Sequence, residues 1–168
     1  MTGVDRDERG WPVAGLDAIG RLRVIEAAVP AAAAAETVID APFDRVWAYV
    51  TDMERSIAEF DSLVSRVRIR RREPAPGGAE NLVLQAWAPR SPGALVFDVR
   101  LEDGLCVMMA RRRLFLVGMA AVAEGDRTRF RHAEGVPLPG GRLLRPVVRR
   151  TSRADSRRIA RLVEGRQL

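Results

Sequence analysis

The stretch AETVIDAPFDRVWAYVTDMERSIAEF, residues 35–60, decides the fold class because its pattern changes twice. It opens around Thr37, Val38 and Ile39, which are β-branched and favour a strand. Pro42 then suits the first position of a helix, where its missing N–H costs no hydrogen bond. One face of that predicted helix is apolar through residues spaced i, i+3, i+4 and i+7, namely Phe43, Val46, Trp47 and Val50. A strand followed at once by an amphipathic helix is the result.

A second short helix is predicted directly afterwards. Thr51 with Glu54 three residues later has the pattern of a capping box. The apolar members of this helix would be Met53, Ile57 and Phe60.

Beyond Leu63 the apolar period becomes two, which is typical of strands. The segment LVSRVRIRRRE (63–73) has one mostly arginine face and ends at the turn EPAPGG. Asp103-Gly104 between two β-like runs is a strong hairpin signal. The further strands are predicted in NLVLQAWA (81–88), ALVFDVRLE (94–102), LCVMMARRR (105–113), LFLVGMAAVAE (114–124) and TRFRHAE (128–134).

The last segment returns to helical periodicity, with Pro146 in its first turn and Gly165 as its stop. Its predicted apolar face comprises Leu144, Val147, Val148, Ala154, Ile159 and Leu162. Its opposite face is cationic and comprises Arg145, Arg149, Arg150, Arg153, Arg157 and Arg161.

This order of elements predicts an α+β protein: a curved antiparallel sheet of about seven strands, two short helices after strand one, and a long C-terminal helix. Residues 33–168 form the predicted domain. Residues 1–32 are expected to be an extension that packs loosely over it, with room for one short helix.

The net charge is +6, and all 28 basic residues are arginines. Arginine without lysine, together with abundant alanine, indicates a bacterial GC-rich genome rather than a nucleic-acid partner, so no nucleic-acid binding is expected. The longest apolar run, LFLVGMAAVA, is about half of the roughly 20 residues that a membrane helix needs. A soluble protein without membrane insertion is expected.

Cys106 is the single cysteine, so no internal disulfide can form, and a reducing cytoplasm fits best. We expect it to be a small buried apolar residue, because no second histidine accompanies it. No motif offers metal-ligand spacing, a phosphate loop or a nucleophile elbow. No metal or cofactor is therefore expected.

The segments ETVIDAPFDRVWAYVTDMERSIAEF (36–60) and DRTRFRHAEG (126–135), with the arginine-rich last helix ending in LVEG, resemble the START-like or SRPBCC superfamily. The strand followed by Ala-Pro, the Val-Trp pair and the Asp near the helix junction is similar to the recurring start of the polyketide cyclase/dehydrase group. The resemblance spans residues 33–165. It implies a helix-grip fold with an apolar cavity between the sheet and the C-terminal helix, and it carries over no catalytic residue.

Two residues on one face of the last predicted strand are candidate catalytic groups. His132 is the only histidine, and alternation places it beside Phe130 and Glu134, away from Arg129 and Arg131. One interpretation is a His132–Glu134 pair in the cavity, with His132 as general acid or base and Glu134 orienting it. The alternative is a buried or strand-edge histidine with a structural hydrogen bond only.

Several apolar or polar side chains are candidate ligand contacts. Trp87 and Gln85 share a strand face and would line the cavity, unless Trp87 packs under the N-terminal extension. Adaptable apolar walls are expected from Met108, Phe97, Phe115 and Phe130, although core packing is the commoner role of such residues.

Asp155 lies on the predicted apolar face of the last helix. It would hold a polar ligand atom or act as an acid or base, or it would pair with an arginine, with Arg111, Arg113 and Arg158 as candidates. The arginine face of the same helix is either a solvated surface or a docking site for an acidic partner such as a carrier protein.

Two functional hypotheses follow. In the first, the protein binds a small hydrophobic or polycyclic molecule and catalyses a polyketide-type cyclisation or dehydration. In the second, it is a non-catalytic carrier or sensor of such a molecule that docks to an acidic partner.

Overall fold

The computed structural model describes residues 15–29, 31–111, 115–136 and 141–165, without the side chains of residues 141 and 142. The helices are α1 (Ala18–Ala27), α2 (Phe43–Thr51), α3 (Met53–Phe60) and α4 (Arg145–Glu164). The strands are β1 (Ala33–Ile39), β2 (Arg66–Ala75), β3 (Ala79–Trp87), β4 (Ala94–Glu102), β5 (Leu105–Ala110), β6 (Leu116–Glu124) and β7 (Arg127–Gly135).

The seven strands form one antiparallel sheet in the order β1-β7-β6-β5-β4-β3-β2. Consecutive strands from β2 to β7 are therefore neighbours, and β1 closes the series against β7. The hairpin between β4 and β5 turns through Asp103 and Gly104, where Gly104 has a φ of 72°, a conformation that glycine adopts without steric cost. The predicted α+β fold class and strand number are confirmed.

The two short helices follow β1 as predicted, but their ends differ. Pro42 precedes the first helical residue of α2 as its N-cap. The predicted capping box is wrong: Thr51 closes α2 by donating its hydroxyl proton to the Trp47 carbonyl (2.8 Å), and Glu54 accepts from the backbone N–H of Ile69 (2.9 Å). The Thr51 hydroxyl thus bonds within its own helix, and a tertiary contact takes the Glu54 carboxylate.

The sheet has two covered faces. The inner face carries α2, α3 and α4 and the main core, which includes Ile39, Val50, Met53, Phe60 and Phe130. The outer face carries α1 and a smaller core of Ile19, Leu22, Leu105, Ala120 and Ala133.

The helix in the N-terminal extension is confirmed, but the expectation that it packs loosely is wrong. Leu22 is fully buried on the outer face. Ion pairs tie α1 to the sheet, including Glu26 with Arg131 (2.6 Å) and Arg21 with Glu102 (2.6 Å). The boundary between residues 32 and 33 stays a prediction.

Two other expected faces need correction. Leu63 is 60% exposed, because β2 begins only at Arg66. In α4 the predicted apolar residues Leu144, Val147 and Ala154 are exposed. The side that packs on the sheet is instead partly polar, comprising Val148, Ser152, Asp155, Ser156, Ile159 and Val163. The arginine face is exposed as predicted.

Candidate functional site: a cavity on the inner face of the sheet

A cavity of about 410 Å³ lies on the inner face of the sheet, beneath α3. Its walls come from α3 and the segment that follows it, from β3 to β7, and from the connection between β3 and β4. None of its described lining residues belongs to α4. The expected position between the sheet and the C-terminal helix is therefore wrong, because the polar side of α4 packs directly on β1 and β7.

The cavity wall is mostly apolar. The structure places four of the predicted ligand contacts on it, namely Trp87, Phe97, Met108 and Phe115. Ile57, Leu84 and Val117 extend the same wall. Apolar walls with few polar groups are typical of small-molecule sites.

The mouth of the cavity lies between the segment after α3 and the β3–β4 connection. Leu63 is 60% exposed and Leu95 is 50% exposed, and both line the cavity. Trp87 stands nearby with the Arg66 guanidinium 4.0 Å from its ring centroid. The described part of the N-terminal extension, α1, packs mainly against β5, β6 and β7, away from Trp87 on β3.

Three predicted ligand contacts do not line the cavity. Gln85 is absent from the lining, because alternation within β3 turns Leu84 and Ala86 inward, whereas Trp87 reaches the cavity from the last position of the strand. Phe130 is fully buried within the main core and is not part of the wall. Asp155 is buried on α4 behind the cavity, outside the lining.

His132 lies at the inner end of the cavity and is 1% exposed. Burial lowers the pKa of its imidazole to about 4, although the charge of Asp61 and a hydrogen bond to the backbone of Ser152 act in the opposite direction. Its Nδ1 has no hydrogen-bond partner among the described residues. The Phe60 ring packs edge-on against it, with the ring centroids 6.1 Å apart. The side chain is therefore a neutral imidazole with one nitrogen unused.

Glu134 also lines the cavity and is 3% exposed. The hydroxyls of Thr151 and Ser152 on α4 donate to its Oε2, at 2.5 and 3.2 Å. Burial raises the pKa of this carboxyl, and the two hydroxyls offset part of that effect. The predicted role of Glu134 in orienting His132 has no hydrogen bond to support it among the described residues.

Asp155 is 6% exposed and faces Glu134 from α4. Burial raises its pKa to about 7, and the charges of Asp61 and Glu134 act in the same direction while Arg158 opposes them. The expected ion pair is absent among the described residues. Arg111 pairs with Asp98 instead (3.1 Å), and Arg113 lies outside the described residues.

Asp61 is a cavity residue that the sequence patterns missed. It follows α3, lines the cavity, and accepts a hydrogen bond from the backbone N–H of Leu63 (2.7 Å). Burial raises its pKa, and the charge of Glu134 adds to the increase. An acidic residue after a short helix has the signature of a turn, so only the tertiary fold brings it toward His132.

A second concave surface lies outside the cavity, between α4, β1 and the end of α1. This arginine groove has a volume of about 1030 Å³. Its basic residues are Arg131, Arg145, Arg149, Arg150, Arg153 and Arg157. Arg131 is neutralised by Glu26 and Glu36, whereas the five on α4 form no ion pair within the described part of the chain.

No helix among the described residues is long and apolar enough to cross a membrane.

Comparison with known proteins yields structural neighbours only. No protein-family model matches the chain, and no curated protein matches it. The fold is similar to that of the Zhui aromatase/cyclase from Streptomyces sp. R1128, with a TM-score of 0.57 at 16% identity over 80% of this chain and 94% of that one.

Two further solved structures are similar. A START superfamily protein from Mycobacterium smegmatis has a TM-score of 0.52 at 18% identity, over 80% of this chain and 95% of that one. Truncated norcoclaurine synthase from Thalictrum flavum has a TM-score of 0.52 at 14% identity, over 81% of this chain and 94% of that one. At such identities the similarity establishes the fold and leaves the chemistry to the site. The chain therefore has the START-like helix-grip fold that its sequence resembles.

Proposed function

We propose that this protein binds one small hydrophobic or polycyclic molecule in the inner-face cavity, with the polar end of the molecule at His132. The observation that carries the proposal is a cavity of about 410 Å³ with an apolar wall and a few buried polar groups at its inner end. Pockets of roughly 300 to 1,000 Å³ with this division of polarity bury most of a drug-sized ligand.

Binding is tested by placing a large side chain inside the cavity. The same substitution at the adjacent residue of the strand is the control. Ala86 and Gln85 are adjacent on β3 but lie on opposite faces of the sheet. Ala86→Trp should abolish binding of the neutral fluorophore phenylnaphthylamine, whereas Gln85→Trp should bind it like the unmodified protein. If Ala86→Trp does not fold, Leu95→Trp replaces it. This substitution narrows the mouth of the cavity at an exposed position and should also weaken binding. Equal binding by all of these proteins would contradict the proposal.

The natural ligand is sought by mass spectrometry of freshly purified protein under native and then denaturing conditions. A stoichiometric small molecule that is lost on unfolding would support the cavity assignment and identify the ligand. Its turnover can then be measured directly.

The chemistry that the site supports is proton transfer during a cyclisation or dehydration. A neutral imidazole can accept a proton from a bound ligand, and a carboxyl whose pKa is raised by burial holds a proton more readily and can return it. His132 is the proposed base, and Glu134 is a cavity-lining carboxyl within 4.8 Å of it. His132→Ala should lower turnover of the identified ligand by about 100-fold or more, and unchanged turnover would remove this role.

A second candidate function is a carrier that hands its ligand to an acidic partner through the arginine groove. Five guanidinium groups on α4 that form no ion pair with any described residue support it, since such a surface speeds encounters with acidic proteins. Arg149, Arg153 and Arg157 changed together to Gln should abolish salt-sensitive binding of polyglutamate. The same change at the exposed Arg68, Arg70 and Arg127 alters the net charge equally and should leave most of the binding intact. Equal losses in both triple variants would contradict a specific groove.

A further inference from the structure

Three buried ligand-type side chains meet where β7 faces α4. They are His132 and Glu134 from alternate positions of β7, and Asp155 from α4. One nitrogen or oxygen atom from each lies within 4.8 Å of the others. Each of the three residues is at most 6% exposed. The cluster is thus compact and enclosed by the fold.

Within the described residues the charges of this cluster are only partly balanced, because the charge of Arg158 acts on Asp155 without forming an ion pair. Among the described residues, no arginine forms an ion pair with Glu134 or Asp155. A buried carboxylate without a cation is strongly disfavoured, so it must either keep a proton or acquire a positive partner. Two protons or one divalent ion would neutralise the two carboxyls.

His132 supplies an independent indication of a missing partner. Its Nδ1 is buried and has no hydrogen-bond partner in the described part of the chain, although buried polar atoms are nearly always satisfied. In a neutral imidazole one ring nitrogen carries the proton and the other has a free lone pair, so the unpartnered Nδ1 can offer its lone pair. A lone pair on a neutral imidazole is what a metal ion coordinates.

We propose that His132, Glu134 and Asp155 bind a divalent metal ion. One neutral imidazole and two carboxylates cancel the charge of such an ion and leave the buried site neutral. Ligand atoms in a tetrahedral site lie about 3.5 Å apart, given bonds of about 2.0 to 2.2 Å. The three atoms lie within 4.8 Å of one another, so binding would require their side chains to move closer together. The mixed nitrogen and oxygen donors favour a first-row transition ion such as zinc.

The position left open on the ion would face the cavity, because His132 and Glu134 line its inner end. A water molecule or an oxygen atom of the bound ligand would complete the coordination. A metal-bound His132 cannot also serve as a general base, so the two uses of its Nδ1 exclude each other. Binding of an apolar molecule in the cavity requires neither a metal ion nor a general base at His132.

Cobalt(II) is a suitable probe, because its visible absorption reports coordination by protein ligands. Purified protein is freed of metal with a chelator and titrated with cobalt(II). We expect one equivalent to bind with a new visible absorption band. Asp155→Asn and Glu134→Gln should each weaken binding by about 100-fold or more, since both remove an inner ligand where even outer-shell changes cost about 10- to 100-fold. Asp98→Asn, at an exposed carboxylate that pairs with Arg111, should bind like the unmodified protein.

Two outcomes would overturn the metal site. One is the absence of any stoichiometric absorption change, and the other is unchanged cobalt affinity in Asp155→Asn. If the variants do not fold, unfolding of the unmodified protein is measured with and without cobalt(II). A bound ion should raise the unfolding midpoint. An unchanged midpoint would count against the site. Phenylnaphthylamine binding by the metal-free protein tests the cavity separately. Failure of the metal site and failure of ligand binding in the cavity can therefore be told apart.

Discussion

The two faces of the sheet are covered in different ways. On the outer face α1 approaches so closely that a Cβ at Gly118 would lie 2.3 Å from Leu22 Cδ1. On the inner face α3 stands away from β3 to β5 and leaves a cavity of about 410 Å³. One sheet thus supports a dry, filled interface on one side and an open space on the other.

The buried charges differ in the same way. Arg131 on the outer face is paired with both Glu26 and Glu36. Glu134 and Asp155 on the inner face have no such partner among the described residues, and burial raises the pKa of each. Paired charges serve the structure, whereas unpaired buried groups in a cavity are typical of functional sites. The inner face is therefore where we place the function.

The largest expected effect concerns how far the inner face opens to solvent. Cys106 is fully buried in the main core, and burial raises the pKa of its thiol to about 12. At about pH 8 a thiol reagent should modify it at least a thousandfold more slowly in the folded than in the unfolded protein. Rapid modification, measured by the release of a coloured leaving group, would mean that the cavity extends to Cys106 and that the inner core is open.

The next largest effect is the loss of stability when the packing of α1 on the outer face is disrupted. Leu22→Ala removes a fully buried side chain from the interface between α1 and the sheet, and should lower the free energy of unfolding by about 2 to 5 kcal/mol. Val24→Ala, on the same helix but 60% exposed, should change it by less than about 0.5 kcal/mol. Chemical denaturation of both variants measures the difference. Equal small losses would mean that α1 packs loosely after all.

A sharper test of the difference in packing enlarges one side chain on each face of the sheet by one or two carbon atoms. Gly118→Ala pushes against Leu22 and should cost about 1 to 3 kcal/mol, and most of that loss should disappear when Leu22→Ala is present too. Ala86→Val enlarges a side chain that faces the cavity and should cost less than about 1 kcal/mol. Denaturation of the two single variants and the double variant tests this; equal costs on the two faces would contradict the contrast in packing.

The smallest effect compares two ion pairs. The side chains of Arg131 and Glu26 are 17% and 12% exposed, whereas those of Arg71 and Glu73 are 66% and 50% exposed. Glu26→Gln should therefore lower stability by about 1 kcal/mol, and Glu73→Gln by close to zero. Thermal unfolding at low and high salt measures both. A larger loss from Glu73→Gln would reverse the expected order.

The sequence predicts the fold well because local patterns determine it. Strand alternation, Pro42 and Asp103-Gly104 place most elements within a few residues of their observed ends. Failures occur where tertiary contacts compete with local ones: Glu54 bonds to β2 instead of capping α3, and the packed side of α4 is polar because Ser152 bonds to Glu134.

The candidate site is predicted only in part, for a related reason. Alternation along β7 correctly turns His132 and Glu134 inward, since both lie on one strand face. Asp61 and Asp155 reach them from other elements, 71 and 23 residues away from His132 in the chain, and no spacing rule covers such distances. Gln85 fails because both faces of β3 are partly apolar, so the pattern does not distinguish inside from outside.

The most direct test of the account uses two neighbouring methionines on opposite faces of β5. Met108 lines the cavity, whereas Met109 lies on the outer face. In protein with labelled methionine methyl groups, nuclear magnetic resonance is recorded while phenylnaphthylamine is added. The account predicts that the Met108 methyl signal shifts in a saturable way and that the Met109 signal stays in place. A shift confined to Met109, or no shift at either residue, would contradict binding in the inner-face cavity.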